Sequence, residues 1–202
     1  MYVHLAQLKR LVHNMNVMIV GVGGQGTLLA SRIIGNLVID LGYDVKVSEV
    51  HGMSQRGGSV VTYVKYGDEI YSPIIDKGEA DIILAFEMLE AYRALPYLKK
   101  DGKIISNIQK MNPMPVITGK AEYPKDIDKK LKDVCNVELV DALNLAKEAG
   151  NIKAVNVVLI GVFAKESNIA YDKWVEVIKK TVPAKLLDVN LKAFDLGYNL
   201  KK

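Results

Sequence analysis

The segment Asn16–Gly26, NVMIVGVGGQG, constrains this chain more than any other. Residues 17–20 form an unbroken apolar run, which suits a strand buried on both faces of a parallel sheet. The run enters glycines and then TLLASRIIGNLVIDLG, where apolar residues recur three and four apart, as on the buried face of a helix. Gly42 stands where a glycine would close that helix. DVKVSEV, residues 44–50, alternates and reads as a second strand. Strand, glycine turn, helix and strand make a βαβ opening, the start of a doubly wound sheet.

The rest of the chain continues the alternation. SVVTYVKYG is rich in β-branched and aromatic residues, and Gly67-Asp68 followed by EIYSP predicts a hairpin there. ADIILAFE is a buried strand, Met88 to Leu98 reads as a helix, GKIISN as a strand and PMPVIT as a further one. VELVDALNLAKEAG passes from strand to helix at Asp141, a residue type that caps helix N-termini. From Val155 onward three helices follow, with Pro183 near the start of the last. The expected fold is α/β: a doubly wound, mostly parallel sheet with helices on both faces and an inserted β-hairpin. It forms a single domain over residues 15–202, after an N-terminal extension, residues 1–14, readable as a short amphipathic helix. Met15 is an alternative start, and the extension lacks the uninterrupted apolar run of a signal peptide.

Composition excludes some classes. The longest apolar run, AVNVVLIGVFA, is too short to span a bilayer, so no membrane is expected as a partner. A single cysteine, Cys135, rules out an internal disulfide or a cysteine-ligated cluster within this chain, and the expected setting is the cytoplasm. The formal charge of +4 comes from 23 Lys and 4 Arg spread along the chain. Arg is the residue that reads bases and grips phosphates in pairs of hydrogen bonds, so no nucleic-acid partner is expected.

Two loops carry the chemistry. Gly21, Gly23 and Gly26 have the G-x-G-x-x-G spacing between a strand and a helix, where backbone amides can approach a phosphate. With Gly24, Gln25 and Thr27 they are the candidate cofactor-binding residues, joined by Glu49, placed to meet a ribose hydroxyl in a dinucleotide fold. The alternative is that these glycines serve the turn alone. The second loop, HGMSQRGG, follows the second strand and should reach the same sheet edge. Arg56, followed by Gly57-Gly58, is free to clamp a phosphate or carboxylate, and His51 can carry a proton or donate to a substrate oxygen. His51, Gln55 and Arg56 are the catalytic candidates; Ser54 adds a donor and Met53 an adaptable apolar surface. A purely structural hydrogen bond is the other reading of His51. Glu87 and Asn156 either face the same edge or cap helices, and Cys135 reads as a packing residue.

Together, VGVGGQGTLLASRIIG and SEVHGMSQRGGSVVTYVKYG resemble the gamma-type domain of the 2-oxoacid:ferredoxin oxidoreductases, and the later NVVLIGVFA resembles that family's buried helix after an Asn. The resemblance runs from about Met15 onward. It implies a subunit, inactive alone, of an enzyme that oxidatively decarboxylates arylpyruvates of the indolepyruvate type and delivers the acyl group to coenzyme A, with ferredoxin as electron acceptor. Thiamine diphosphate, magnesium and [4Fe-4S] clusters are then expected on a larger alpha subunit, with no metal on this chain. Two other readings stay open: a free-standing NAD- or flavin-binding oxidoreductase with Glu49 on the ribose, and a nucleotide-sensing regulatory module. For a plain dinucleotide binder the HGMSQRGG loop is superfluous.

Overall fold

Six strands make one sheet: β1 (Met15–Val22), β2 (Asp44–His51), β3 (Ser59–Gly67), β4 (Ala80–Ala85), β5 (Leu98–Asn107) and β6 (Asn136–Val140). Their order is β2-β3-β1-β4-β5-β6. The computed structural model describes residues 14–52 and 57–201. β4, β5 and β6 run parallel in succession to β1, and β3 is antiparallel to both β1 and β2, so β3 alone points the other way. The helices are α1 (Thr27–Asp40), α2 (Met88–Ala94), α3 (Met114–Ile117), α4 (Ile127–Val134), α5 (Ala142–Ala149), α6 (Val155–Glu166), α7 (Tyr171–Thr181) and α8 (Leu187–Tyr198).

The apolar run of β1 is continuous because each face of the sheet has its own core. Val17 and Ile19 enter the core formed with α1 and α5–α8, while Met18 and Val20 enter the core formed with α2 and α4. α1 contributes Ala30, Ile33, Ile34, Leu37 and Val38, the single stripe its spacing predicts. α6 differs: every residue from Val155 to Ala164 is buried, because the helix lies between the sheet and α8. That explains why its sequence is apolar all round. The expected doubly wound architecture, with helices on both faces, is the architecture found.

Three local expectations are corrected. The antiparallel hairpin does not turn at Gly67-Asp68. The antiparallel pair is β2 with β3, and no strand lies among residues 68–79. β3 already has β2 on its outer side, so EIYSP finds no free edge to pair with, and Pro73 lacks the amide a ladder needs. PMPVIT is not a strand but contains α3, with Pro113 as N-cap and Pro115 in the first turn, where a missing N–H costs nothing. The helix expected to reach Leu98 ends at Ala94, and Leu95–Tyr97, with Pro96, is a single 3₁₀ turn leading into β5. Asp141 does cap α5, its carboxylate accepting from the Asn144 amide.

Candidate functional site

Because β1, β2, β4, β5 and β6 point the same way, the loops after them gather at one edge of the sheet. The glycine loop and the β2–β3 loop meet there directly. The Gly23 amide donates to Gly58 O at 2.8 Å, and the Gly57 amide donates to Gly23 O at 3.5 Å. Met53, Ser54, Gln55 and Arg56 lie outside the described residues, so two of the three catalytic candidates have no stated geometry here.

Two side chains hold the glycine loop, Gln25 from within it and Asn156 from α6. Gln25 folds back: its Oε1 accepts the Val22 amide at 2.7 Å and its Nε2 donates to Phe86 O at 3.1 Å. Asn107, buried at the end of β5, donates to the same Phe86 carbonyl at 3.2 Å. The polar atoms of Gln25 therefore tie β1 to β4. Gly26 adopts φ 84°, the left-handed region, as the N-cap of α1. Asn156, at the head of α6, donates its side-chain amide to Gly26 O at 3.2 Å and accepts from the Val157 amide at 2.9 Å. Asn156 thus fixes the loop from the α6 side.

Two clefts flank this loop. The first, of about 440 Å³, is lined by Gly23, Gly24, Gly26, Thr27, Leu28, Glu49, His51 and Val60. Glu49 accepts from Thr62 Oγ1 at 3.2 Å and Thr27 Oγ1 at 3.4 Å, and exposed His51 has Nδ1 3.1 Å from Gly52 O. The structure brings Glu49, Thr27, His51, Gly23, Gly24 and Gly26 together, while Gly21 is buried within β1 and lines neither cleft; it also inserts β3 between β1 and β2. In a plain dinucleotide fold those two strands are neighbours. The second cleft, of about 500 Å³, lies on the other side of the loop, lined by Gly23, Gly24, Gln25, Gly26, Gln109, Met111, Leu143, Ile152, Lys153 and Val155. The clefts differ in charge. The first contains a carboxylate that would repel a phosphate, whereas the second has Lys153 and no acid among its lining residues.

Sequence reasoning missed Lys153, whose only signal was a cation just ahead of the apolar helix at Asn156. It also missed a tether beneath the β2–β3 loop. Ser59 Oγ donates to Glu90 Oε2 at 2.5 Å, and Arg93 pairs with Glu90 Oε1 at 2.6 Å. Nothing local marks a contact between positions 59 and 90. Glu87 is fully engaged at the same edge, where Oε2 caps α2 through the Glu90 amide at 3.0 Å. Its Oε1 accepts from the Met111 amide at 3.0 Å and the Tyr123 hydroxyl at 2.6 Å. Burial and the adjacent carboxylate push the Tyr123 hydroxyl up, so it stays a donor at any ordinary pH. Cys135 is half-buried, its thiol raised by burial, with Sγ 3.2 Å from Leu131 O. One thiol cannot supply the four thiolates of an iron–sulfur cluster. Among the described residues no helix is long and apolar enough to cross a membrane.

Known proteins resemble this chain over most of its length. The family described as pyruvate ferredoxin/flavodoxin oxidoreductase matches residues 16–200. The indolepyruvate oxidoreductase subunit IorB of Pyrococcus horikoshii is 44% identical over 193 residues, covering 93% of this chain and 96% of its own. Among solved structures, the pyruvate oxidoreductase subunit PORC of Thermotoga maritima superposes with TM-score 0.73 at 19% identity, covering 94% of this chain and 98% of that one. The 2-oxoglutarate:ferredoxin oxidoreductase of Magnetococcus marinus, solved with 2-oxoglutarate, coenzyme A and succinyl-CoA bound, superposes with TM-score 0.70 at 17% identity. That match covers 92% of this chain but 30% of the other, where the fold is one part of a much longer polypeptide.

Proposed function

The chain belongs to the pyruvate ferredoxin/flavodoxin oxidoreductase family, and from that premise we propose that it is the small subunit of a ferredoxin-dependent 2-oxoacid oxidoreductase acting on arylpyruvates of the indolepyruvate type. Thiamine diphosphate and the [4Fe-4S] clusters then reside on a larger alpha subunit in a cytoplasmic complex, consistent with one cysteine here. The bound groups supply decarboxylation and electron transfer; this chain's residues bind and orient the acyl acceptor, coenzyme A.

One observation carries this reading: the glycine loop is bonded to the β2–β3 loop and flanked by a cationic cleft at the carboxyl edge. Coenzyme A fits that cleft in kind. Its phosphates would meet Lys153 and the turn of Gly23, Gly24 and Gly26, and its pantetheine arm would run along Ile152, Leu143 and Met111. Gln25 shapes the loop from within. Arg56 supplies charge, and His51 and Gln55 orient the reacting groups.

Steady-state kinetics of the assembled enzyme test this. Lys153→Ala should raise KM for coenzyme A by about tenfold, the loss of one charge-assisted contact, with KM for the 2-oxoacid unchanged. An unaltered coenzyme A KM would remove the phosphates from that cleft. Arg56→Ala should lower turnover while the subunits stay together. If the complex dissociates instead, Arg56 belongs to the interface and not to the ligand.

A further inference from the structure

Gln109 and Met111, just after β5, line the cationic cleft together with the glycine loop. Their backbone is fixed to the residues after β4. The Met88 amide donates to Gln109 O at 3.1 Å, and the Met111 amide donates to Glu87 Oε1 at 3.0 Å.

The side chain of Gln109 is oriented too, and the cause lies one residue deeper. Asn107, 0% exposed at the end of β5, donates from Nδ2 to Phe86 O at 3.2 Å and to Gln109 Oε1 at 3.3 Å. A carbonyl only accepts, so Phe86 O dictates which end of the Asn107 carboxamide faces it. The flipped amide would set oxygen against oxygen at both contacts. The orientation holds although Asn107 Oδ1 is buried with no partner among the described residues. Asn107 in turn dictates Gln109: facing a donor, its carboxamide must present Oε1. What Gln109 has left for the cleft is Nε2, which has no hydrogen-bond partner among the described residues. The Phe86 carbonyl also takes Gln25 Nε2, so the glycine loop and Gln109 are registered to one atom.

We infer that Gln109 is a ligand-binding residue of the cationic cleft, its carboxamide N–H donating to an amide carbonyl of the pantetheine arm, and that Asn107 is the positioning residue that points it. This rests on the coenzyme A reading above. The class of partner group follows from the cleft's chemistry. Lys153 supplies the positive charge that phosphates need. Gln109 is neutral, half-buried and close in sequence to the apolar Met111. An uncharged N–H beside apolar surface matches an uncharged carbonyl, whereas a plain methylene chain would bury that N–H unpaired.

Kinetics of the assembled enzyme test this, with each half of coenzyme A probed by a competing fragment: phosphoadenosine diphosphate for the phosphate end and S-methylpantetheine for the arm. Gln109→Met keeps the length of the side chain and loses its N–H groups. It should raise KM for coenzyme A and the inhibition constant of S-methylpantetheine by the same factor, about fivefold, the loss of one neutral hydrogen bond. The nucleotide's constant and KM for the 2-oxoacid should stay put, which a general loosening of the fold would not allow. Asn107→Leu should weaken S-methylpantetheine in the parent enzyme and leave it unchanged in the Gln109→Met background. Equal weakening in both backgrounds would overturn the positioning role. If Lys153→Ala raises KM for coenzyme A while Gln109→Met leaves the S-methylpantetheine constant at its parental value, the role of Gln109 is overturned and the cleft assignment stands. If neither substitution moves coenzyme A binding, the cleft does not hold coenzyme A and the inference falls with that reading.

Discussion

Gly197→Ala should destabilise the chain by about 3 kcal/mol and lower its melting temperature by roughly 10 °C. Helix propensity alone gives the opposite sign, because alanine in a helix interior is better than glycine by about 1 kcal/mol. Packing decides. A Cβ on Gly197 of α8 would sit 2.0 Å from Val158 O of α6, and one on Gly161 of α6 would sit 2.2 Å from Phe194 O of α8. The two helices touch backbone to backbone, and a backbone cannot rotate away as a side chain can. α6 and α8 would have to separate, and α6 lies between the sheet and α8 at the centre of the larger core. Gly35→Ala is the control. Gly35 is also inside a helix, but its added Cβ would meet only Val47 Cγ2 at 3.9 Å, an ordinary contact. Thermal unfolding should therefore move in opposite directions for the two variants. If both fall, or both rise, the close crossing is not what requires glycine at 197.

How much of this was legible in the sequence depends on whether the determining contact is local. β1 was legible because Val17 to Val20 fill two cores from one short run, and no exposed strand carries that pattern. α1 and α6 were legible for the same reason, one through a stripe and the other through apolarity all round. The position of β3 was not. Residues 15–51 read as strand, helix, strand, and nothing in them states that a later strand will enter between the first and second. That is set by β3's antiparallel pairing with both, from Met15↔Tyr66 on one side to Asp44↔Gly67 on the other. The site divides similarly. The glycine loop announced itself, and Asn156 was noticed as a residue that caps a helix or faces the edge. Gln25 was read as a polar group facing a ligand, but its carboxamide is occupied by the Val22 amide and the Phe86 carbonyl. The second of these lies 61 positions away. Lys153 and the Ser59–Glu90–Arg93 tether depend on elements brought together only by the sheet.

Gly26→Ala should lower turnover of the assembled enzyme by about a hundredfold, because a displacement of about 1 Å in a positioning loop is enough for that. It should also cost about 2–3 kcal/mol of stability, from two separable causes. The first is the backbone, since at φ 84° any residue with a Cβ is strained. The second is Asn156, whose Nδ2 lies 2.4 Å from where the new Cβ would be, while its own Cβ lies 3.7 Å away. Asn156 is 3% exposed and cannot swing into solvent, so either it gives up its bond to Gly26 O or the first turn of α1 shifts. A double-mutant cycle separates the causes. Asn156→Ala alone should destabilise the parent by roughly 1–2 kcal/mol, leaving Gly26 O with one acceptor bond fewer and the Val157 amide without its side-chain partner. Placed on Gly26→Ala, the same substitution should stabilise, because it removes the clashing carboxamide and leaves only an ordinary contact. The sign of the Asn156→Ala effect therefore reports whether the two residues meet as the structure has them. Additive effects would mean that the loop relaxes freely. Wild-type turnover in Gly26→Ala, despite a lowered melting temperature, would mean that these glycines serve the turn and hold no ligand.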